Sequence, residues 1–263
     1  MTPTEISFGA WESYAFASLV TLLAWAESRW LPWSPFILVS AVLTAVIPWL
    51  SGSLPFGDIL TVFANHAGLI VTMAGLFFLW ESGICYGLYE RVILRIMGTA
   101  SDPRFAPSLA FKQLLEEGGK KAGFTPVRFR AVLIIYHLVW APWAEETFYW
   151  GFLYSHLRNV HGFWATAAIV SAFFALRHAT HFTFIRPRYP WPAALGFSSG
   201  IFISGMLNSY LFVATGSLWP PIALHFLSNL PILWMSPGSE PRPPSTTPGS
   251  RQSAEELQRG RQI

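Results

Sequence analysis

The stretch that decides the fold is AVLIIYHLVWAPWAEETFYWGFLYSHL, from Ala131 to Leu157. It is long enough to cross a bilayer, which takes about 20 predominantly apolar residues. Its only acids are two neighbours, Glu145 and Glu146. Because an unpaired carboxylate is costly in hydrocarbon, ionisable groups at this depth indicate a functional site.

The composition is that of a membrane protein. Charged residues make up only 12% of the chain and hydrophobic residues 52%, whereas soluble domains carry roughly 25% charged residues. The 13 Trp and 22 Phe residues suit aromatic belts at the membrane interfaces. A formal net charge of +3 is too small to indicate nucleic acid as a partner. The lipid bilayer is the expected environment.

The distribution of apolar and basic residues predicts an all-α, polytopic bundle of about seven to eight membrane spans. The apolar runs lie at about 11–28, 34–51, 59–86, 131–157, 162–182, 192–214 and 217–235. An eighth, partial span is available within 84–97. The stretch 87–130 is rich in Lys and Arg, so the positive-inside rule places it in the cytoplasm. Alternating from there predicts an external N-terminus and a cytoplasmic C-terminus.

Three regions follow from this pattern. Residues 1–130 are predicted to contain the N-terminal spans and the basic cytoplasmic loop. Residues 131–235 form the expected catalytic membrane core. Residues 236–263 are rich in Pro, Ser and Gly, which is typical of a disordered tail.

Polar residues stand inside three of the C-terminal spans. They are Glu145 and Glu146, then His178, then His225 and Asn229. His225 and Asn229 are four positions apart and share a helix face, whereas adjacent glutamates point about 100° apart. Counting about 1.5 Å per residue from the outer ends places Glu145 roughly 20 Å deep, His178 roughly 24 Å and His225 roughly 13 Å. These groups can therefore meet in one cavity.

A carboxylate with two imidazoles suits the activation of a water molecule. The Glu can take a proton from water and return it to a leaving group, while His and Asn side chains can donate hydrogen bonds to an oxyanion. No Ser or Cys lies where a nucleophile would be expected. One Glu and two His residues could instead hold a metal, but the sequence has no H-E-x-x-H motif. No cofactor is expected, and a divalent metal is left open.

These residues resemble the motifs of the CAAX prenyl endopeptidase and bacteriocin-processing (CPBP) family of intramembrane proteases. The family pattern is EExxxR, then FxxxH, then His and Asn or Asp spaced by four. The matches here are Glu145–Glu146, Phe174 to His178, and His225 to Asn229. The segment GSLWPPIALH, which ends at His225, also resembles the lead-in to the last motif. The resemblance covers about residues 125–235.

The resemblance implies a glutamate-dependent endopeptidase that cuts near the membrane anchor of its substrate. Glu145 would activate the water with help from His178. His225 and Asn229 would form the oxyanion pocket, and Glu146 would support the site. The substrate would be a membrane-anchored protein or peptide, and the family's distribution implies a bacterial inner membrane.

One position departs from the family pattern, because the expected arginine is Trp150. We predict that Arg177, beside His178, supplies the missing positive charge to Glu146. His181, which shares a helix face with His178, is a second supporting candidate. His137 and His156 are predicted to serve packing or the interface.

Two other functions are compatible with the sequence. Buried Glu and His residues also form proton relays in proton-coupled transporters, although transporters commonly show internal repeats and none is visible here. A catalytically inactive relative, acting in immunity or as a membrane-protein binder, is compatible with Trp150.

Overall fold

The computed structural model describes residues 9–30, 38–52, 54–80, 92, 94–96, 98, 123, 125–183 and 191–230. This part of the chain is all-helical and contains no strand, which confirms the predicted α class. The predicted tail, 236–263, and most of the basic stretch 87–130 lie outside the described residues.

The helices coincide with the predicted apolar runs. They are α1 (Ala10–Trp30), α2 (Leu38–Leu50), α3 (Ile59–Phe78), a single turn α4 (Leu94–Ile96), α5 (126–157), α6 (Phe163–Thr183), α7 (Trp191–Thr215) and α8 (Trp219–Asn229). Among the described helices, α3 is the one that is long and apolar enough to cross a membrane by length and composition. Shorter apolar helices occupy Val39–Leu50 and Phe163–Ala179. The predicted number of spans is therefore not confirmed.

Helix α5 forms the centre of the molecule. Thr125 caps its N-terminus by accepting a hydrogen bond from the Arg128 amide, and Pro126 lies in its first turn. The segment Ala141–Tyr154 is buried on nearly all sides. Apart from Glu145, Glu146 and Thr147 it is apolar around its circumference, as expected of a central helix. Phe148, Phe152 and Trp150 are completely buried in the core.

The N-terminal helices cover α5, and one buried acid among them has a structural role. Glu27 of α1 accepts hydrogen bonds from the amides of Val39, at 2.5 Å, and Ser40, at 3.3 Å, in the first turn of α2. These amides have no partner within their own helix. Glu27 thus caps α2 and fixes the packing of α1 against it.

The start of α8 shows why its sequence is rich in Gly and Pro. Gly216 ends α7 with a positive φ of 62°, a conformation that favours glycine. The Leu218 amide then donates to the Pro55 carbonyl at 2.9 Å, and the Ser217 hydroxyl donates to the Phe56 carbonyl. Prolines in the first turn of α8 suit a position where amides lack intrahelical partners. These contacts fix the helix that carries His225.

Candidate active site

The two glutamates lie in a short α-helical turn between two π-helical segments of α5. The turn is Ala141–Glu146, and the π segments are Ile135–Trp140 and Thr147–Tyr154. π-Helical turns are rare and occur frequently at functional sites. The side chains of Glu145 and Glu146 are 6% and 0% exposed, so both must find polar partners inside the bundle.

Glu145 faces α6, where it meets a cation and an imidazole. The Nη1 atom of Arg177 donates to its Oε1 at 2.5 Å. The Nε2 atom of His178 lies 3.6 Å from its Oε2. Oε2 has no hydrogen-bond partner among the described residues. One oxygen of Glu145 is therefore held by Arg177, and the other faces His178.

The hydrogen bond at Nδ1 of His178 determines which nitrogen of its neutral ring carries the hydrogen. Its Nδ1 atom lies 2.8 Å from the carbonyl oxygen of Phe174. A carbonyl only accepts, so Nδ1 carries the hydrogen and Nε2 of the neutral ring is an acceptor. Two acceptors, Nε2 of His178 and Oε2 of Glu145, thus face each other. A water molecule, which has two hydrogens to donate, matches that pair.

Glu146 faces the opposite way, towards α7 and α8. Its Oε1 lies 2.7 Å from Nδ1 of His225. The side-chain amide of Asn208 donates towards Oε1 at 3.3 Å and Oε2 at 3.4 Å. The two adjacent acids therefore have different partners.

Asn229 joins α8 to α5. Its side-chain nitrogen donates to the carbonyl oxygen of His137 at 2.8 Å. Since an amide nitrogen carries two hydrogens, one remains for another acceptor. His137 thus contacts a site residue through its backbone carbonyl. We had expected its side chain to serve packing or the interface.

Phe174 explains the first position of the F-x-x-x-H motif. Its ring centroid lies 4.5 Å from that of His178 and 6.2 Å from that of His225. It also contacts Tyr149 and Trp150, with centroid separations of 5.0 Å and 5.3 Å. Phe174 is a spacer that keeps the two imidazoles apart and anchors both against α5.

The structure corrects the expected partner of Arg177. Arg177 contacts Glu145 and not Glu146. It lies beside His178 on α6, and both side chains reach the carboxylate of Glu145. Trp150, in place of the family's arginine, is fully buried and donates from Nε1 to the Ser209 hydroxyl at 2.9 Å. The backbone of His181 continues α6, while its side chain lies outside the described part of the structure.

A metal site requires several ligands that converge on one point. Within the described residues, no group of three or more His, Cys, Asp or Glu side chains is arranged to hold a metal ion. The nearest contacts of Glu145 are a guanidinium and an imidazole, so the residues provide proton acceptors and hydrogen-bond donors.

An apolar cavity of about 280 Å³ lies between α3, α5 and α8. Two of its walls belong to the helices that carry Glu145 and His225. It is lined by Ile59, Phe63, Leu138, Val139, Trp143, Trp219, Ile222, Ala223 and Phe226.

The site places two buried glutamates of α5 beside histidines of α6 and α8 in a helical bundle. Residues 127–231 match the family model described as type II CAAX prenyl endopeptidase Rce1-like. This segment contains every site residue named above, and the resemblance seen in the three motifs is confirmed. Members of that family are membrane proteases. No curated protein and no solved structure matches the chain.

Proposed function

We propose that this protein is an intramembrane endopeptidase that hydrolyses a peptide bond near the membrane anchor or C-terminus of a protein or peptide. The observation that carries the proposal is the pair of acceptors formed by Glu145 Oε2 and His178 Nε2, 3.6 Å apart. Such a pair can orient a water molecule and accept its proton.

The reaction proceeds through a tetrahedral intermediate. Glu145, assisted by His178, takes a proton from water as the water oxygen attacks the carbonyl carbon of the scissile bond. His225 and Asn229 donate hydrogen bonds to the resulting oxyanion. When the carbon–nitrogen bond breaks, the proton held by Glu145 passes to the leaving amine. The products are a new carboxyl terminus and a new amine.

The remaining residues hold this arrangement in place. Arg177 fixes one oxygen of Glu145 at 2.5 Å, so the other keeps its direction towards His178. Glu146 fixes His225 through Nδ1. His181 is proposed as a further supporting residue on α6. The chemistry of these side chains needs no cofactor.

The substrate is proposed to be anchored in the same bilayer. The apolar cavity on α5 and α8 gives an apolar segment a surface beside the site. We place the protein in the inner membrane with seven to eight spans, a catalytic core at 131–235 and a cytoplasmic C-terminus. In that orientation the predicted tail, 236–263, is cytoplasmic.

The test is Glu145→Gln, which keeps the shape of the side chain and removes its basicity. Cleavage of a co-expressed anchored substrate should fall by about 10²–10⁴-fold, the usual contribution of a general base. Glu12→Gln, which changes an exposed acid of α1, is the control and should cleave normally. Cleavage by Glu145→Gln at the wild-type rate would overturn the proposal.

A second candidate is a catalytically inactive relative that binds membrane proteins. The observation in its favour is Trp150, which replaces the family's arginine. In that case wild type and Glu145→Gln would show equal binding of a partner and no cleavage. A proton-coupled transporter would instead lose a proton or solute flux in Glu145→Gln.

A further inference from the structure

Asn208 occupies a position that no motif identifies, yet it contacts the most deeply buried acid of the site. Asn208 is 2% exposed, and its Nδ2 atom lies 3.3 Å and 3.4 Å from the two oxygens of Glu146. A buried carboxylate needs hydrogen-bond donors. Within the described residues, the donors to Glu146 are this amide and the His225 ring.

We infer that Asn208 is a positioning residue: its neutral amide provides the hydrogen bonds to Glu146 that an arginine at position 150 would provide in the family motif. The inference rests on the proposed function, since it assigns a role within the same site. It concerns Glu146 and His225, and not the water-activating pair.

The replacement at position 150 supports this assignment. Trp150 donates from Nε1 to the Ser209 hydroxyl at 2.9 Å, and that hydroxyl donates to the Gly205 carbonyl at 2.9 Å. Ser209 is the sequence neighbour of Asn208. The tryptophan therefore fixes the turn of α7 from which the amide reaches Glu146. Trp150 therefore lacks the positive charge of the family's arginine. It also holds in place Asn208, the neutral residue that contacts Glu146.

The charge balance of the site gives Asn208 a chemical consequence. The amide donates to both oxygens of Glu146. Since hydrogen-bond donors stabilise a carboxylate, we expect the hydrogen shared with His225 to lie on Nδ1 of the imidazole. To stabilise an oxyanion, Nε2 of His225 must also carry a hydrogen, which makes the ring an imidazolium. An arginine beside it would oppose that charge by like-charge repulsion. The neutral amide of Asn208 does not repel the imidazolium.

The first experiment compares Asn208→Ala with Ser204→Ala, which changes a buried hydroxyl one turn away on the same helix. In Asn208→Ala, kcat should fall by about 10- to 100-fold, as for the loss of a hydrogen bond to a charged group, and KM should stay unchanged. Ser204→Ala should retain wild-type kcat. Equal kcat in both variants would overturn the inference.

A double-mutant cycle shows whether Asn208 acts through Glu146. If it does, Glu146→Gln combined with Asn208→Ala should have the same kcat as Glu146→Gln alone. If the two losses multiply, Asn208 has an independent structural effect and the inference is wrong.

A third measurement does not depend on cleavage and so separates this inference from the proposed function. In protein labelled with ¹⁵N-histidine, the Nδ1 signal of His225 is identified by its absence in His225→Gln. Asn208→Ala should move that signal towards the shift of an unprotonated nitrogen, while Ser204→Ala leaves it in place. An unmoved signal contradicts the positioning role even if the wild-type protein cleaves nothing.

Discussion

Replacing Arg177 with Ala tests the buried ion pair on which the proposed water-activating geometry depends. Arg177 and Glu145 are 3% and 6% exposed, and their charged atoms are 2.5 Å apart. Breaking a buried pair by removing one partner costs about 3–5 kcal/mol, because the other charge is left without compensation. The free energy of unfolding of Arg177→Ala should fall by that amount. This corresponds to a roughly hundred- to several-thousand-fold change in the folded-to-unfolded ratio.

A second substitution shows whether the lower stability comes from the broken ion pair or from lost packing. In Arg177→Ala combined with Glu145→Gln, no charge is left unpaired in the contact. If the ion pair accounts for most of the effect, the double variant should be destabilised by less than the sum of the two single variants. It should remain inactive, because Glu145 is proposed as the base.

The assay is equilibrium unfolding in detergent, followed by tryptophan fluorescence, with cleavage measured in parallel. Leu176→Ala is the matched control, since this neighbour of Arg177 is 46% exposed and its loss should cost about 0.5 kcal/mol or less. Wild-type stability and wild-type cleavage in Arg177→Ala would refute the reasoning. Additive losses in the double variant would show that the two side chains act independently.

Three further predictions concern contacts around the site. Trp150→Phe removes the indole donor to Ser209 and should lower the free energy of unfolding by about 1–3 kcal/mol, measured by denaturant unfolding; wild-type stability would contradict the contact. Gly205→Ala places a Cβ 2.7 Å from the Ser171 hydroxyl, so overpacking should cost about 1–3 kcal/mol, and adding Ser171→Gly should recover part of it in the same assay. Asn229→Ala should reduce kcat by about 10²–10³-fold if its amide stabilises the oxyanion, and steady-state kinetics showing a change in KM alone would argue against that role.

The helices could be predicted because apolar runs of this length have few alternatives to a helix. The runs at 162–182 and 192–214 correspond to Phe163–Thr183 and Trp191–Thr215. The π-helical segments on either side of the glutamates could not be predicted. A change from i+4 to i+5 hydrogen bonding is set by how the helix packs against its neighbours, and apolar periodicity does not record it.

The carboxylates and imidazoles that motif spacing grouped lie together in the structure, but the spacing did not assign their partners. Arg177 lies next to His178 in the sequence, and that adjacency indicated a supporting role without showing which glutamate it contacts. The structure shows Glu145. The side chains at 177 and 178 leave the same turn of α6, and Glu146 points away from that helix towards α7 and α8.

Asn208 was missed because it belongs to a helix without any motif, and an Asn in an apolar run has no fixed spacing to a site elsewhere. One signal could have found it. When Trp150 replaces the family's arginine, a fully buried Glu146 must obtain its donors from another helix, and α7 holds a buried Asn next to a buried Ser. A missing cation in a family motif is therefore a reason to search neighbouring helices for buried amides as well as for other cations. In this chain Asn208, and not Arg177, contacts Glu146.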